Sequence, residues 1–118
     1  MNNRPKTIFL DVDGVILEHT NISKRSNIPP ELLSGVLDKF EEWDRKGYKI
    51  ILTTGRKESE RGRINKQLQD AGIVYDELIM GIGGGERIII NDYKENSDEL
   101  TARAICVKRN EGLVNVFI

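Results

Sequence analysis

The chain has 118 residues, of which 38% are hydrophobic and 31% charged, and its formal net charge is -1. A chain of this length has room for one domain with its own core, so we expect a single domain over residues 1–118. Without bulk positive charge or an apolar run near the roughly 20 residues that span a bilayer, neither a nucleic acid nor a membrane is expected as a partner.

Cys106 is the single cysteine, which excludes an internal disulfide and suits a reducing compartment. The first residues carry no long apolar segment of the signal-peptide kind. A cytoplasmic protein is therefore expected, with Cys106 buried in an apolar stretch.

The first half of the chain alternates between strand-like and helix-like patterns. Residues 7–10 form a continuous apolar run, which predicts a strand buried on both faces. Pro29 and Pro30 are expected to open a helix, since proline is tolerated in a first turn. The apolar residues of this helix recur at helical spacing and end before a stop at Gly47: Leu33, Val36, Leu37, Phe40 and Trp43.

The alternation continues into the second half. Residues 48–53 predict a second strand, and residues 59–71 predict a helix with Gly72 as its stop. A short third strand is expected at residues 76–80, and a further buried strand at residues 87–90. The glycine run at positions 83–85 precedes that strand, so it predicts a loop rather than a dinucleotide-binding turn.

The tail after Lys94 leaves two interpretations open. Asn96 and Glu99 have the spacing of a capping box, which would begin a short helix. Alternatively, residues 102–107 and 114–118 are strands, and a strand near residues 104–107 is the interpretation we favour.

Strands that alternate with helices indicate βαβ units with right-handed crossovers. We therefore predict an α/β fold, three-layered and Rossmann-like, with a mostly parallel central sheet. Ligands of such sheets bind at the carboxyl ends of the strands.

Three predicted strands end in polar clusters, which should converge at one edge of the sheet. Asp11 and Asp13 follow the first strand, and two carboxylates so close favour a hard divalent cation such as Mg²⁺ between them. Gly14 permits a sharp turn whose N–H groups can bind phosphate oxygens. The other two clusters are Thr54-Gly55-Arg56, with a hydroxyl and a guanidinium suited to phosphate, and Asn91-Asp92, with a third carboxylate.

Each cluster taken alone also has an ordinary structural interpretation. A D-x-D-G segment can cap the next element, Arg56 can be a surface residue at a helix start, and an Asn-Asp pair commonly forms a turn. Their order, each at a strand end, favours a site. His19, just after the first cluster, is interpreted as a loop histidine.

F-L-D-V-D-G-V resembles the first motif of haloacid dehalogenase-like phosphatases. L-T-T-G-R resembles their second motif, and I-I-I-N-D their fourth, so the resemblance spans roughly residues 7 to 94. The later V-K-R-N-E-G-L, with I-N-D-Y-K, is similar to small phosphatase-like proteins of bacterial surface-polysaccharide gene clusters.

The resemblance implies in-line phosphoryl transfer. Asp11 would attack phosphorus, and Asp13 would act as general acid and then general base. Thr54 and Gly55 would hold phosphate oxygens. Mg²⁺ would be bound by Asp11, the main-chain carbonyl of Asp13, and Asp92.

The sequence departs from that pattern in two respects. No lysine precedes Asn91-Asp92 at close range, and Arg87 is the best candidate for this missing cation, with Lys94 and Arg56 as substitutes. The segments between the motifs are too short for a cap domain. An open site implies a bulky substrate or a neighbouring subunit as lid, so a homo-oligomer is an expectation.

The leading interpretation is a Mg²⁺-dependent phosphatase for a sugar phosphate or similar small phosphomonoester. The second is a phosphatase acting on a nucleic-acid end or a phosphoprotein. The third is a catalytically degenerate module that binds phosphate or a partner.

Overall fold

The computed structural model describes residues 4–20 and 29–118. The strands are Thr7–Asp11 (β1), Lys49–Thr53 (β2) and Glu77–Ile79 (β3), and the α-helices are Val36–Arg45 (α1) and Arg61–Asp70 (α2), the latter preceded by a 3₁₀ turn at Glu58–Glu60. The strands form one sheet in the order β1-β2-β3, and both pairs are parallel. The predicted α/β organisation with a parallel sheet is therefore confirmed.

The register aligns the carboxyl ends of the three strands at the same edge of the sheet. Asp11 lies opposite Thr53, and Thr53 lies opposite Ile79. The residues that follow β1 and β2 therefore emerge side by side, as the sequence predicted for the first two polar clusters.

The core lies between one face of the sheet and both helices. Strands in sequential order with right-handed crossovers place their helices on the same face. The described residues thus form two layers where three were predicted, and Phe9, on the opposite face, is 53% exposed. The buried cluster takes alternate strand residues and both helices: Leu10, Ile50, Leu52, Leu78, Phe40, Trp43, Ile64 and Leu68.

The first helix begins later than predicted. Glu18 N–H donates to the Glu31 carbonyl (2.8 Å) and Leu33 N–H to that of Ile16 (2.9 Å), so residues 31–33 pair with the loop after β1. Gly35, with φ 75°, then begins α1. The periodic apolar pattern identified the helix but not its start, because Leu33 satisfies the same pattern from an extended segment.

The segment after β3 departs most from the prediction. No strand forms at residues 87–90 or in the tail, and no residue from 83 to 106 is buried. Residues 83–106 are called the arm below. Its Cys106 is exposed, so the expected burial of that cysteine is wrong. A run of isoleucines predicts a segment that packs against other apolar side chains, but the sequence alone does not identify those side chains.

The chain returns to the core after the arm. Leu113 is buried, and its N–H donates to the Ser34 carbonyl at 2.8 Å. Gly112 lies so close to Ser34 that a Cβ would stand 2.2 Å from the Ser34 carbonyl oxygen, so a side chain is excluded there. In the described ranges, no helix has the length and apolar character needed to cross a membrane.

Candidate active site

A tight loop after β1 presents the two carboxylates. The N–H groups of Ile16 and Leu17 both donate to the Val12 carbonyl at 3.0 Å, and Gly14 N–H donates to the Leu17 carbonyl at 2.7 Å. Val12, Ile16 and Leu17 are fully buried. Because the apolar residues of D-V-D-G-V-I-L anchor the loop in the core, Asp11 and Asp13 are directed to the sheet edge.

Asp11 is half-buried at the end of β1. Thr53 Oγ1 donates to its Oδ1 at 3.3 Å, a contact that follows from the β1–β2 register. Burial raises the pKa of Asp11 above its ordinary value; the positive charge of Arg87 opposes this rise, and the negative charge of Asp13 adds to it. A desolvated carboxylate next to a second acid and an arginine is the arrangement expected of a reactive group.

Asp13 is held on both oxygens. Its Oδ2 accepts from Thr54 Oγ1 (3.0 Å) and Arg56 Nε (3.2 Å), and its Oδ1 accepts from Arg56 Nη2 (2.6 Å). The side chains of Arg56 and Asp13 are only 7% and 14% exposed. This bidentate, nearly buried ion pair fixes the Asp13 carboxylate firmly.

Arg56 therefore differs from its predicted role. Its Nη1 donates to Gln67 Oε1 at 3.2 Å, so all of its nitrogens contact protein groups. Arg56 orients Asp13 in this structure. Thr54 is fully buried, and its Oγ1 also accepts from Arg56 N–H at 3.2 Å.

The two glycines at the strand ends serve different purposes. Gly14 has φ 90° and makes the predicted sharp turn, but it is buried and its N–H donates to the Leu17 carbonyl, so this N–H is not presented to a phosphate as expected. At Gly55 a side chain is disfavoured by close packing, because a Cβ there would lie 3.1 Å from the Ile82 carbonyl oxygen. The chain after β3 passes next to Gly55, and Ile82 N–H donates to the Thr54 carbonyl at 3.0 Å.

Arg87, the predicted cation, is an exposed residue held by the glycine loop. Its charge acts on Asp11, and its Nη1 donates to the Gly83 and Gly85 carbonyls at 2.5 and 2.6 Å. The glycine loop thus holds the arginine near the predicted nucleophile. Lys94, named as a substitute, lies elsewhere, 3.8 Å from Asp92.

Asp92 does not join Asp11 and Asp13 in this structure. It is exposed within the arm, and its main-chain carbonyl accepts a hydrogen bond from Thr101 Oγ1. Residues 4–20 and 29–118 contain no group of three His, Cys, Asp or Glu side chains arranged to hold a metal. The donors near β1 are the hard oxygens that Mg²⁺ prefers, but the third predicted ligand is apart from them because the strand before it does not pair with β1.

Sequence reasoning missed a second arginine at this corner. Arg109 Cγ would lie 3.2 Å from a Cβ at Gly14, so the side chain lies over the turn after Asp13. Asn110 holds this segment in place: its N–H donates to the Gly14 carbonyl (2.9 Å), and its Oδ1 accepts from His19 N–H (2.7 Å). Only the tertiary return of the chain reveals this contact, because 95 positions separate Arg109 from Gly14.

The comparisons with known proteins concern the fold. No family model and no curated protein matches the sequence. A chain in the structure of a Pnkp1/Rnl/Hen1 complex is 27% identical, with a TM-score of 0.55, over 71% of this chain and 30% of that chain. The D,D-heptose 1,7-bisphosphate phosphatase from B. bronchiseptica, crystallised with magnesium and phosphate, is 22% identical, with a TM-score of 0.55, over 67% of this chain and 51% of that one.

The chain thus spans about half of the phosphatase and less than a third of the other protein. At these identities the likeness is one of fold.

Proposed function

We propose that this protein is a phosphomonoester hydrolase of the haloacid dehalogenase-like type, with Asp11 as the nucleophile. The observation that carries the proposal is the placement of Asp11 and Asp13 at the carboxyl end of β1, next to Thr53 and Thr54 at the carboxyl end of the adjacent parallel strand β2. Arg56 contacts Asp13, and the charge of Arg87 acts on Asp11. A desolvated carboxylate held next to an arginine is suited to attack an anionic phosphorus centre.

The proposed reaction has two steps. An Asp11 carboxylate oxygen attacks phosphorus, the P–O bond to the leaving group breaks, and Asp13 gives a proton to the departing oxygen. Water then attacks the phosphorus of the aspartyl-phosphate, Asp13 takes its proton, and the P–O bond to Asp11 breaks to release inorganic phosphate. Asp11 and Asp13 are restored to their starting states.

Two arginines would balance the charge of the phosphoryl group. Arg87 already acts on Asp11 electrostatically. Arg109 makes no hydrogen bond or ion pair within the described part of the chain and lies over Gly14, so its guanidinium is available to a phosphate oxygen there. Together they would supply the cation that the expected lysine would have provided.

Mg²⁺ is the proposed cofactor. An Asp11 carboxylate oxygen and the Asp13 carbonyl oxygen would be two of its ligands, and Asp92 would complete the set only after moving to the carboxyl end of β1. When bound, the ion would offset the repulsion between the Asp11 carboxylate and an anionic phosphate.

The proposed substrate is a sugar phosphate or another small phosphomonoester, and the proposed setting is a single capless domain in the cytoplasm. Phosphate release should be measured on a panel of sugar phosphates, nucleotides and phosphopeptides with Mg²⁺ present. We expect activity with the wild type, none with Asp11→Asn, and unchanged activity with Asp38→Asn, a matched control on the exposed surface of α1. Equal inactivity of the wild type and Asp11→Asn on the whole panel would reject the enzymatic proposal.

A phosphate-binding module without turnover is the second candidate. It is favoured by one observation: Arg56 and Thr54 occupy both oxygens of Asp13, so proton transfer requires Asp13 to give up one of these contacts. Saturable binding of inorganic phosphate, weakened by Arg87→Ala and without any hydrolysis, would identify this case. The remaining alternative, action on a nucleic-acid end or a phosphoprotein, is distinguished by the phosphopeptide and nucleotide members of the panel.

A further inference from the structure

Gln67 of helix α2 ends a chain of contacts that begins at Asp13. Nε and Nη2 form one edge of the planar Arg56 guanidinium, and they donate to Asp13 Oδ2 at 3.2 Å and to Oδ1 at 2.6 Å. Nη1 lies on the other side of the guanidinium and donates to Gln67 Oε1 at 3.2 Å. The guanidinium therefore joins the carboxylate that follows β1 to a side chain of the helix layer.

Gln67 supplies an anchor that the ion pair alone lacks. A bidentate pair fixes the guanidinium and the carboxylate relative to each other, but it does not fix the long Arg56 side chain within the protein. That side chain is only 7% exposed, so water has little access to replace a lost acceptor at Nη1. Without the Gln67 carbonyl, a nearly buried donor would lose its partner, which is costly enough to displace the guanidinium.

The packing of α2 makes Gln67 a firm point of attachment. Ile64 and Leu68 are fully buried in the core, and Gln67 lies one turn after the first and directly before the second. Gln67 itself is half-buried. Because buried neighbours hold the helix in place, a contact from Gln67 can resist displacement of Arg56.

We propose that Gln67 is a positioning residue for Asp13: its contact with Arg56 Nη1 keeps the guanidinium in place while the Asp13 carboxyl group exchanges its proton. This inference rests on the proposed function. When Asp13 carries a proton, one of its oxygens must give up a contact, and an arginine held by Gln67 stays where the carboxylate can return to it. A displacement of about 1 Å at a reacting group can cost about 100-fold in rate, so small movements of Arg56 matter.

The values of kcat/KM on two kinds of phosphomonoester test this role. This constant reports the steps up to departure of the leaving group, in which Asp13 is the proton donor. Gln67→Leu keeps the approximate size of the side chain but removes the acceptor, and kcat/KM should fall at least about tenfold for the best alkyl phosphate of the panel. For 4-nitrophenyl phosphate, whose acidic leaving group needs little proton donation, it should fall less than about threefold.

Two further variants separate positioning from general damage. Gln67→Glu keeps an acceptor oxygen and should lose less activity than Gln67→Leu. Gln69→Leu, at an exposed position of the same helix, should match the wild type on both substrates. An equal fall on both substrates in Gln67→Leu would show a merely structural effect and overturn the proposal, as would wild-type activity of this variant on the alkyl phosphate.

Hydrogen exchange at Arg56 Nε tests the anchor without any turnover. The Nε–H signal is followed by NMR and assigned by its absence in Arg56→Lys. Its exchange should be at least about fivefold faster in Gln67→Leu and unchanged in Gln69→Leu. Unchanged exchange in Gln67→Leu would overturn the contact itself, whereas a wild type that hydrolyses nothing in the panel would reject the proposed function and, with it, the role in proton transfer.

Discussion

The corner around Asp13 and the arm differ in whether their side chains find partners within the described part of the chain. At the corner, one nearly buried carboxylate, that of Asp13, accepts three hydrogen bonds from Thr54 and Arg56. In the arm, three isoleucines lie in solvent. Every described buried side-chain nitrogen or oxygen has a hydrogen-bond partner, so the polar interior is complete while the apolar arm is not. The contacts of the corner lie among neighbouring strand ends, whereas the isoleucines of the arm are not covered by the described residues.

Truncating the core should have the largest effect on stability. Ile64 is fully buried beneath the sheet, and Ile64→Ala should lower the free energy of unfolding by about 2–5 kcal/mol. Ile90→Ala in the arm, where the side chain is 92% exposed, should change it by less than about 0.5 kcal/mol. Urea denaturation of both variants makes the comparison, and similar losses would mean that the arm packs within the monomer.

Breaking the Arg56–Asp13 pair should have the next largest effect. Arg56→Ala leaves a nearly buried carboxylate without its partner, which should cost about 3 kcal/mol of stability. Arg61→Ala is the control, since the Arg61–Glu58 pair is far more exposed, is screened by solvent and should contribute much less. A loss of stability no larger at Arg56 than at Arg61 would contradict the assigned positioning role.

Arg109→Ala should weaken substrate binding if the proposed function holds. Losing a charge-assisted contact should raise KM about tenfold or more, with a smaller change in kcat. Lys66→Ala, which removes an exposed cation of α2 paired with Asp70, should leave KM unchanged. An unaltered KM in Arg109→Ala would remove this residue from the site.

The smallest predicted effect concerns the pH dependence of stability. Because burial raises the pKa of folded Asp11 above its ordinary 3.8, its charge opposes folding at neutral pH, and Asp11→Asn should be more stable than the wild type there. As pH falls through the raised pKa, the folded wild type takes up a proton first, so the difference should vanish by about pH 3.8. Urea denaturation over this range, with Asp38→Asn as control, measures it, and a difference that grows on acidification would show the wrong sign.

The sequence predicted the parts of this fold that depend on local pattern. The strands β1 to β3 and helix α2 lie within two residues of their expected bounds because each apolar segment packs in the monomer. Gly14, Thr54 and the two aspartates were found because they follow strands whose register aligns them. The strand predicted at residues 87–90 does not form, because a strand also needs a neighbour to pair with and none of the described residues pairs with this segment. Arg109 was missed because only tertiary packing brings it to Gly14.

Whether Asp11 forms a covalent phosphoenzyme is the most direct test of the proposed function. The protein should be mixed with Mg²⁺ and a substrate that it hydrolyses, quenched in acid, digested and analysed by mass spectrometry. We expect one phosphoryl group on the peptide that carries Asp11, and none on that peptide in Asp11→Asn. Hydrolysis with no phosphoryl group on Asp11, or a phosphoryl group on another residue, would contradict the assignment of Asp11 as nucleophile.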